Sequence, residues 1–154
     1  MKYFSKIVLT TLLCIAVISC GDSKSKNEIV ELPAIDENTE TEITVWSWNV
    51  AAKALMETAK TFNEKYPNIK VNVQEFGGAG PAFERYGIVL ASGEGIPDIM
   101  TIESDYVQSF AEKYPKYFLD LKSLAPSDID QIVDPSKVTT SYDSEGKLVA
   151  IAWD

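Results

Sequence analysis

The sequence predicts an α/β fold over residues 42–154, a mostly parallel sheet flanked by helices. Three observations carry that expectation. Short β-branched runs alternate three times with longer segments of helical periodicity. Proline and glycine mark each change of period, at Pro67, at Gly77 to Pro81, and at Gly93, Gly95 and Pro97. The helical segments are long enough to act as right-handed crossovers between parallel strands.

The elements follow in order. Glu42 to Trp46 reads as the first strand, with Ile43 and Val45 as its buried residues. Its carboxyl end crowds Trp46, Ser47, Trp48 and Asn49 together, which burial alone does not explain. Ala51 to Tyr66 sets Leu55, Ala59, Phe62 and Tyr66 at helical spacing and keeps Lys53, Glu57, Lys60 and Glu64 in solvent. Pro67 stops that helix. Ile69, Val71 and Val73 alternate with Lys70, Asn72 and Gln74, the pattern of a strand with one polar face. The run Gly77-Gly78-Ala79-Gly80-Pro81 breaks it. A second helix, about Ala82 to Ser92, carries Phe83, Tyr86, Val89 and Leu90 on one side. Ile99 to Ile102 is the third strand. Ser104 is predicted to cap a third helix near Asp105 to Tyr114, with Val107, Phe110 and Tyr114 facing inward. Beyond Pro115, Phe118 to Leu121 reads as a packed connector and Ser127 to Val133 as a short helix. Tyr142 to Trp153 reads as a hairpin that turns at Asp143-Ser144-Glu145-Gly146, with Lys147 to Ala152 as its second strand.

Residues 1–19 read as a lipoprotein signal peptide. Lys2 and Lys6 form a charged head, and Ile7 to Ile18 form an apolar run too short for a comfortable membrane span. The sequence Val17-Ile18-Ser19-Cys20-Gly21 resembles a bacterial lipobox. The resemblance implies cleavage before Cys20 and acylation of its sulfur and new amino terminus; several acyl chains together anchor stably. Loss of Lys2 and Lys6 takes the formal side-chain charge from −9 to −11. Cys14 leaves with the signal, so the mature chain is expected to have no disulfide. Residues 20–41 are polar and acidic and read as a disordered tether with a reach of roughly 25 Å.

Composition narrows the function. The chain has no histidine among 154 residues, which removes histidine triads, histidine metal ligands and imidazole switches. Net negative charge argues against nucleic acid as a partner. Gly77, Gly78 and Gly80 precede a helix but lack the Gly-Lys-Ser/Thr of a phosphate loop, so a simple turn or a close backbone approach is preferred. Asp128, Asp130 and Asp134 lack the glycine and terminal glutamate of a calcium loop and read as helix-capping, solvated groups. Asp143 and Glu145 fit a turn. No metal and no cofactor is expected.

Glu103 and Asp105 could in principle serve glycoside hydrolysis, yet two residues in one strand-to-helix loop do not establish the required separation. Helix-dipole compensation is the preferred reading, with ligand hydrogen bonding second. Trp46, Trp48, Tyr106 and Trp153 stand at or just beyond the ends of proposed strands, beside Ser47, Asn49, Asp105 and Asp154. Aromatic faces stack on the C–H faces of sugars while amides and carboxylates bind hydroxyls, a lining that suits a neutral polar ligand. Whether Trp46 faces this cleft or the core stays open at this level.

The same order of elements resembles the bacterial extracellular solute-binding proteins of family 1, the carbohydrate-associated receptors of ABC importers. The resemblance rests on four segments: Ile43-Thr-Val-Trp-Ser-Trp48; Phe62-Asn-Glu-Lys-Tyr-Pro-Asn-Ile-Lys-Val71; Leu90-Ala-Ser-Gly-Glu-Gly-Ile-Pro-Asp-Ile99; and Gly146-Lys-Leu-Val-Ala-Ile-Ala-Trp-Asp154. It implies a type II periplasmic-binding-protein-like lobe 1, incomplete because the second lobe is missing, and ending at the hinge. It also implies a monomeric receptor that captures a sugar or oligosaccharide and hands it to membrane permease subunits, with Trp46, Trp48, Asn49, Asp105, Tyr106, Trp153 and Asp154 as the ligand-binding residues. A single lobe of such a clamp is expected to bind weakly. The alternatives are a secreted hydrolase fragment that uses Glu103 or Asp105, and a surface lipoprotein with a structural or protein-binding role in which the aromatic residues only pack.

Overall fold

A computed structural model describes residue 38 and residues 40–153. The expectations for the signal peptide, for acylation of Cys20, for most of the tether and for Asp154 fall outside the described residues.

Strand β1 (Thr41–Trp48) is the central element. It pairs in parallel along its whole length with β2 (Ile69–Phe76), from Thr41 opposite Ile69 to Trp48 opposite Phe76. On its other edge it pairs in parallel with β3 (Ile99–Met100). The strand order is β2-β1-β3. The chain therefore moves one way from β1 to β2 and back across β1 to reach β3. Right-handed crossovers in opposite directions place their helices on opposite faces of the sheet. They also open a crevice at the carboxyl ends of β1 and β3, where ligands of open α/β sheets bind.

Helix α1 (Asn49–Lys65) packs on β1 and β2 through fully buried Ala52 and half-buried Leu55, Met56 and Phe62. It ends where expected: the Tyr66 amide donates to the Phe62 carbonyl, and Pro67 follows. Helix α2 (Ala79–Ser92) buries Ala82, Tyr86, Val89 and Leu90. They join Trp46 and Trp48 in the main core, with Phe76, Phe83, Met100 and Phe110 packed around them. Gly93 closes α2 in the left-handed conformation, φ +77°, its amide bonded to the Val89 carbonyl. A side chain there would start 2.6 Å from the Tyr117 hydroxyl. Helix α3 (Ser104–Lys113) buries Val107 and Ala111 against Val149 in a second, smaller core.

Several expectations need correction. Helix α2 starts at Ala79, so Gly80 and Pro81 belong to its first turn, a position that tolerates proline. Strand β3 is two residues long, not four. The Thr101 amide still bonds the Trp46 carbonyl, at 2.9 Å, before the chain turns toward α3. Ser104 is not the cap of α3 but its first residue; Glu103 takes the cap position, and its carbonyl accepts from the Tyr106 amide.

The short helix beyond Ser127 covers Ile129–Ile132 (α4) and is followed by a further turn of helix, Pro135–Val138 (α5). The expected hairpin is absent as a ladder. It reduces to one antiparallel bridge, Tyr142 to Leu148. The Asp143 carboxylate collects the amides of Glu145 and Lys147 and tightens the turn, with Gly146 at φ +80°. The two arms exchange only a few further bonds: the Asp143 amide donates to the Lys147 carbonyl, and Val149 and Ala150 donate to the Ser141 carbonyl. The Leu148 carbonyl accepts from Leu121, which ties in the Phe118–Leu121 connector. No helix among the described residues is long and apolar enough to cross a membrane.

Candidate functional site

The crevice predicted by the topology is present. A groove of about 1070 Å³ opens beside β3. Its walls come from the start of α1, from β3 and the loop into α3, and from the segment that ends at Trp153. Trp48, Thr101, Glu103, Asp105 and Trp153 are among the lining residues, together with apolar Leu55, Ile99 and Ile151.

Alternation along β1 decides the tryptophans. Residues two apart share a face, so Trp46 and Trp48 both point toward α2. Trp46 is 8% exposed and lies against Phe76 and Tyr86, at ring-centroid distances of 5.3 and 6.0 Å, with the Arg85 guanidinium 5.7 Å from its ring. It belongs to the core and does not line the groove. Trp48 is 9% exposed and packs edge-on against Phe83 at 5.3 Å, yet part of its surface reaches the groove.

Asn49 begins α1 with φ +49°. Asparagine is one of the few residues other than glycine that tolerates this region, and the bend turns the chain from strand to helix directly after Trp48. Its side chain is exposed and is not part of the groove lining. Asp105 stands exposed in the first turn of α3, where its charge complements the helix dipole. Tyr106 is half-exposed but turns to Phe83, at 5.1 Å, away from the lining. Trp153 is 50% exposed and lines the groove. The structure thus gathers Trp48, Asp105 and Trp153 along one groove and leaves Trp46, Asn49 and Tyr106 outside its lining.

Sequence reasoning set Ser47 among the polar groups of the cleft, and it missed Asp98; the pairing of neither residue was foreseen. Ser47 is fully buried and accepts a hydrogen bond from the Thr101 hydroxyl at 2.9 Å. Asp98 accepts from both the amide and the hydroxyl of Thr44, at 2.8 and 2.7 Å. The Thr44 amide, then its hydroxyl, hold the Asp98 carboxyl below the usual aspartate range. Only the strand register reveals these pairs. Of the acidic run expected to cap helices, Asp134 does so with its side chain, whereas Asp128 holds the cap position of α4 without a side-chain bond and Asp130 lies in that helix's first turn. Asp134 caps α5 by accepting from the Ser136 amide and hydroxyl, which lowers its carboxyl, and Asp130 accepts from the Tyr142 hydroxyl. Among the described residues no three potential ligands cluster around a metal position.

Comparison with known proteins agrees with this architecture. The profile of the bacterial extracellular solute-binding proteins matches residues 46–148. An arabinooligosaccharide-binding protein of Bacillus subtilis (strain 168) is 30% identical over 148 residues, covering 94% of this chain and 31% of the relative. The chain thus spans about a third of that protein's length. Among solved structures, an extracellular solute-binding protein family 1 from Alicyclobacillus acidocaldarius is 25% identical with a TM-score of 0.60, over 73% of this chain and 28% of that one. The maltose-bound MalE3 of T. maritima is 23% identical with a TM-score of 0.59, over 73% and 28% of the two chains, a likeness of fold. Strand order, helix placement and matched segments agree: the chain belongs to the bacterial extracellular solute-binding protein family.

Proposed function

We propose that this chain supplies one wall of the solute cleft of an ABC-importer receptor, and that the solute is a sugar or oligosaccharide. The carrying observation is the convergence of Trp48, Asp105 and Trp153 on a groove that runs along β3 and reaches the carboxyl ends of β1 and β3. Half-exposed Trp153 provides the stacking face, Trp48 bounds the groove, and Asp105 accepts hydroxyl hydrogen bonds. Asn49 directly follows Trp48 and Asp154 directly follows Trp153 in sequence, and either can contribute once a solute is seated. The function is capture and delivery to permease subunits, with no covalent step. Membership of a family of binding proteins, one relative of which is an arabinooligosaccharide-binding protein, supports this reading.

We further propose that the protein is exported and anchored through acylated Cys20, with residues 21–41 as the tether, and that it works as a monomer. Titration calorimetry with arabinotriose and maltotriose tests the binding role: saturable heat without product supports it, and turnover of either sugar refutes it. Labelling with radioactive palmitate tests the anchor. Label retained by a Cys20→Ser variant would remove Cys20 from that role.

A further inference from the structure

Strand β3 is joined to β1 by side chains as much as by backbone. One register runs through four successive rungs, Thr44 with Asp98, Val45 with Ile99, Trp46 with Met100 and Ser47 with Thr101. Only the two middle rungs form ladder pairs. The outer two rest on side-chain hydrogen bonds, which at Thr44–Asp98 are joined by both residues' amides, and they differ in surroundings. The Thr44–Asp98 rung is exposed and lies at the amino end of β3. The Ser47–Thr101 rung lies at the carboxyl end, with Ser47 sealed from solvent. From Ser47 the chain runs directly into Trp48 and Asn49. From Thr101 it runs into Glu103, Ser104 and Asp105.

We propose that Ser47 and Thr101 are positioning residues for the oligosaccharide cleft. Their hydroxyl pair, with Ser47 fully buried and Thr101 half-buried at the groove, fixes the spacing between the loop after β1 and the loop after β3, and so presets Trp48 relative to Asp105. This rests on the carbohydrate reading above. A hydrogen bond with one partner sealed from water holds its geometry better than a fully exposed one, because solvent does not compete at the Ser47 oxygen. The restraint matters here because β3 contributes only two ladder residues, and no further strand pairs with its outer edge among the described residues. Without the pair, the bond from the Thr101 amide to the Trp46 carbonyl alone holds the segment leaving Thr101 on β1, and it lifts more easily. A cleft ordered before binding loses less entropy when a solute enters.

The test uses the full chain with Ser47→Ala, Thr101→Val, Thr101→Ser and, at the other end of β3, Thr44→Val. Amide hydrogen exchange reads the loop, and calorimetry with arabinotriose reads the site. Ser47→Ala and Thr101→Val are expected to speed exchange at Ile102 to Tyr106 by about tenfold, as local opening becomes easier. Thr101→Ser, which keeps the hydroxyl, restores it. Thr44→Val lowers the unfolding midpoint and leaves exchange in that loop unchanged. Arabinotriose affinity falls by about fivefold or more in the first two variants only, close to 1 kcal/mol. Unchanged loop exchange in Ser47→Ala and Thr101→Val overturns the proposal, as does a rise spread evenly over β1 and β2. Faster loop exchange in a chain that binds neither arabinotriose nor maltotriose, even unmutated, supports the hold on the loop and overturns the carbohydrate reading instead.

Discussion

Replacing Tyr86 with phenylalanine tests how the core satisfies its one buried phenol. Tyr86 has no exposed surface, and its hydroxyl donates to the Trp46 carbonyl at 3.1 Å. That carbonyl also accepts from the Thr101 amide at 2.9 Å. Removal of the hydroxyl therefore leaves no buried acceptor unpaired. The expected loss is that of one net hydrogen bond, about 1 kcal/mol, rather than the ~3 kcal/mol of an orphaned polar group. With a urea slope of about 1 kcal/mol/M, the lower end for small domains, the midpoint falls by roughly 1 M.

The pH dependence carries a second signature. Burial pushes the Tyr86 phenol far above its ordinary value. In the unfolded chain it ionises near pH ~10. Below that pH both states keep the proton and the residue adds no pH dependence. Above it only the unfolded chain releases the proton, so wild-type stability falls by at most ~1.4 kcal/mol per pH unit. Phenylalanine carries no such proton, and the variant's curve is flatter. The two curves should meet near pH ~11, where the alkaline loss equals the missing hydrogen bond. Urea unfolding followed by tryptophan fluorescence at pH 7, 9, 10 and 11 measures both effects. A deficit above about 3 kcal/mol at pH 7 would refute the shared-carbonyl argument. Parallel curves above pH 10 would refute the account of the buried phenol.

Asp98→Asn should remove part of the acid sensitivity. The Asp98 carboxyl is lowered by the Thr44 amide and hydroxyl, so its contribution is present above the unfolded value and disappears as pH falls through the folded one. Because the pair is exposed, a loss of only ~0.5 kcal/mol at pH 7 is expected, and the difference from wild type should close toward pH 3 in urea titrations. Gly93→Ala should cost ~1 kcal/mol for the left-handed backbone, plus the shift of the Tyr117 side chain that its Cβ displaces. Gly93→Asn should cost less, and an Asn variant no more stable than Ala by thermal melts would count against backbone strain. Trp153→Ala should weaken oligosaccharide binding by about tenfold with an unchanged melting temperature. Trp46→Ala, in contrast, should lower stability by ~3–5 kcal/mol. Calorimetry and differential scanning measure the pair, and loss of binding in neither variant would move the site elsewhere.

Local patterns account for what the sequence made legible. Helix α1 was visible because Leu55, Ala59 and Phe62 repeat at helical spacing and Pro67 cannot continue it. Strand β2 was visible because Ile69, Val71 and Val73 alternate with polar residues. The end of β1 stood out because indoles and polar groups crowd there, and the groove does open at that end of the sheet. The expected hairpin stays at one bridge because the chain before Tyr142 is a tight helical turn, Thr139–Ser141, and offers the second arm no strand to pair with. Helix α5 was overlooked although Asp134-Pro135-Ser136 is a readable start, with an N-cap acceptor and proline at the first position.

The sequence by itself determined the alternation of strands and helices and the family. Each of these is written in spacing along the chain. The tertiary structure decided which aromatic residues are wall and which are core. Trp46, Trp48, Tyr106 and Trp153 look alike in sequence, but only the packing of α2 and α3 on the sheet buries the first and turns the third toward Phe83. It also decided that Ser47 meets Thr101 and that Thr44 meets Asp98. Those contacts depend on the register between strands far apart in the chain, which no local pattern encodes.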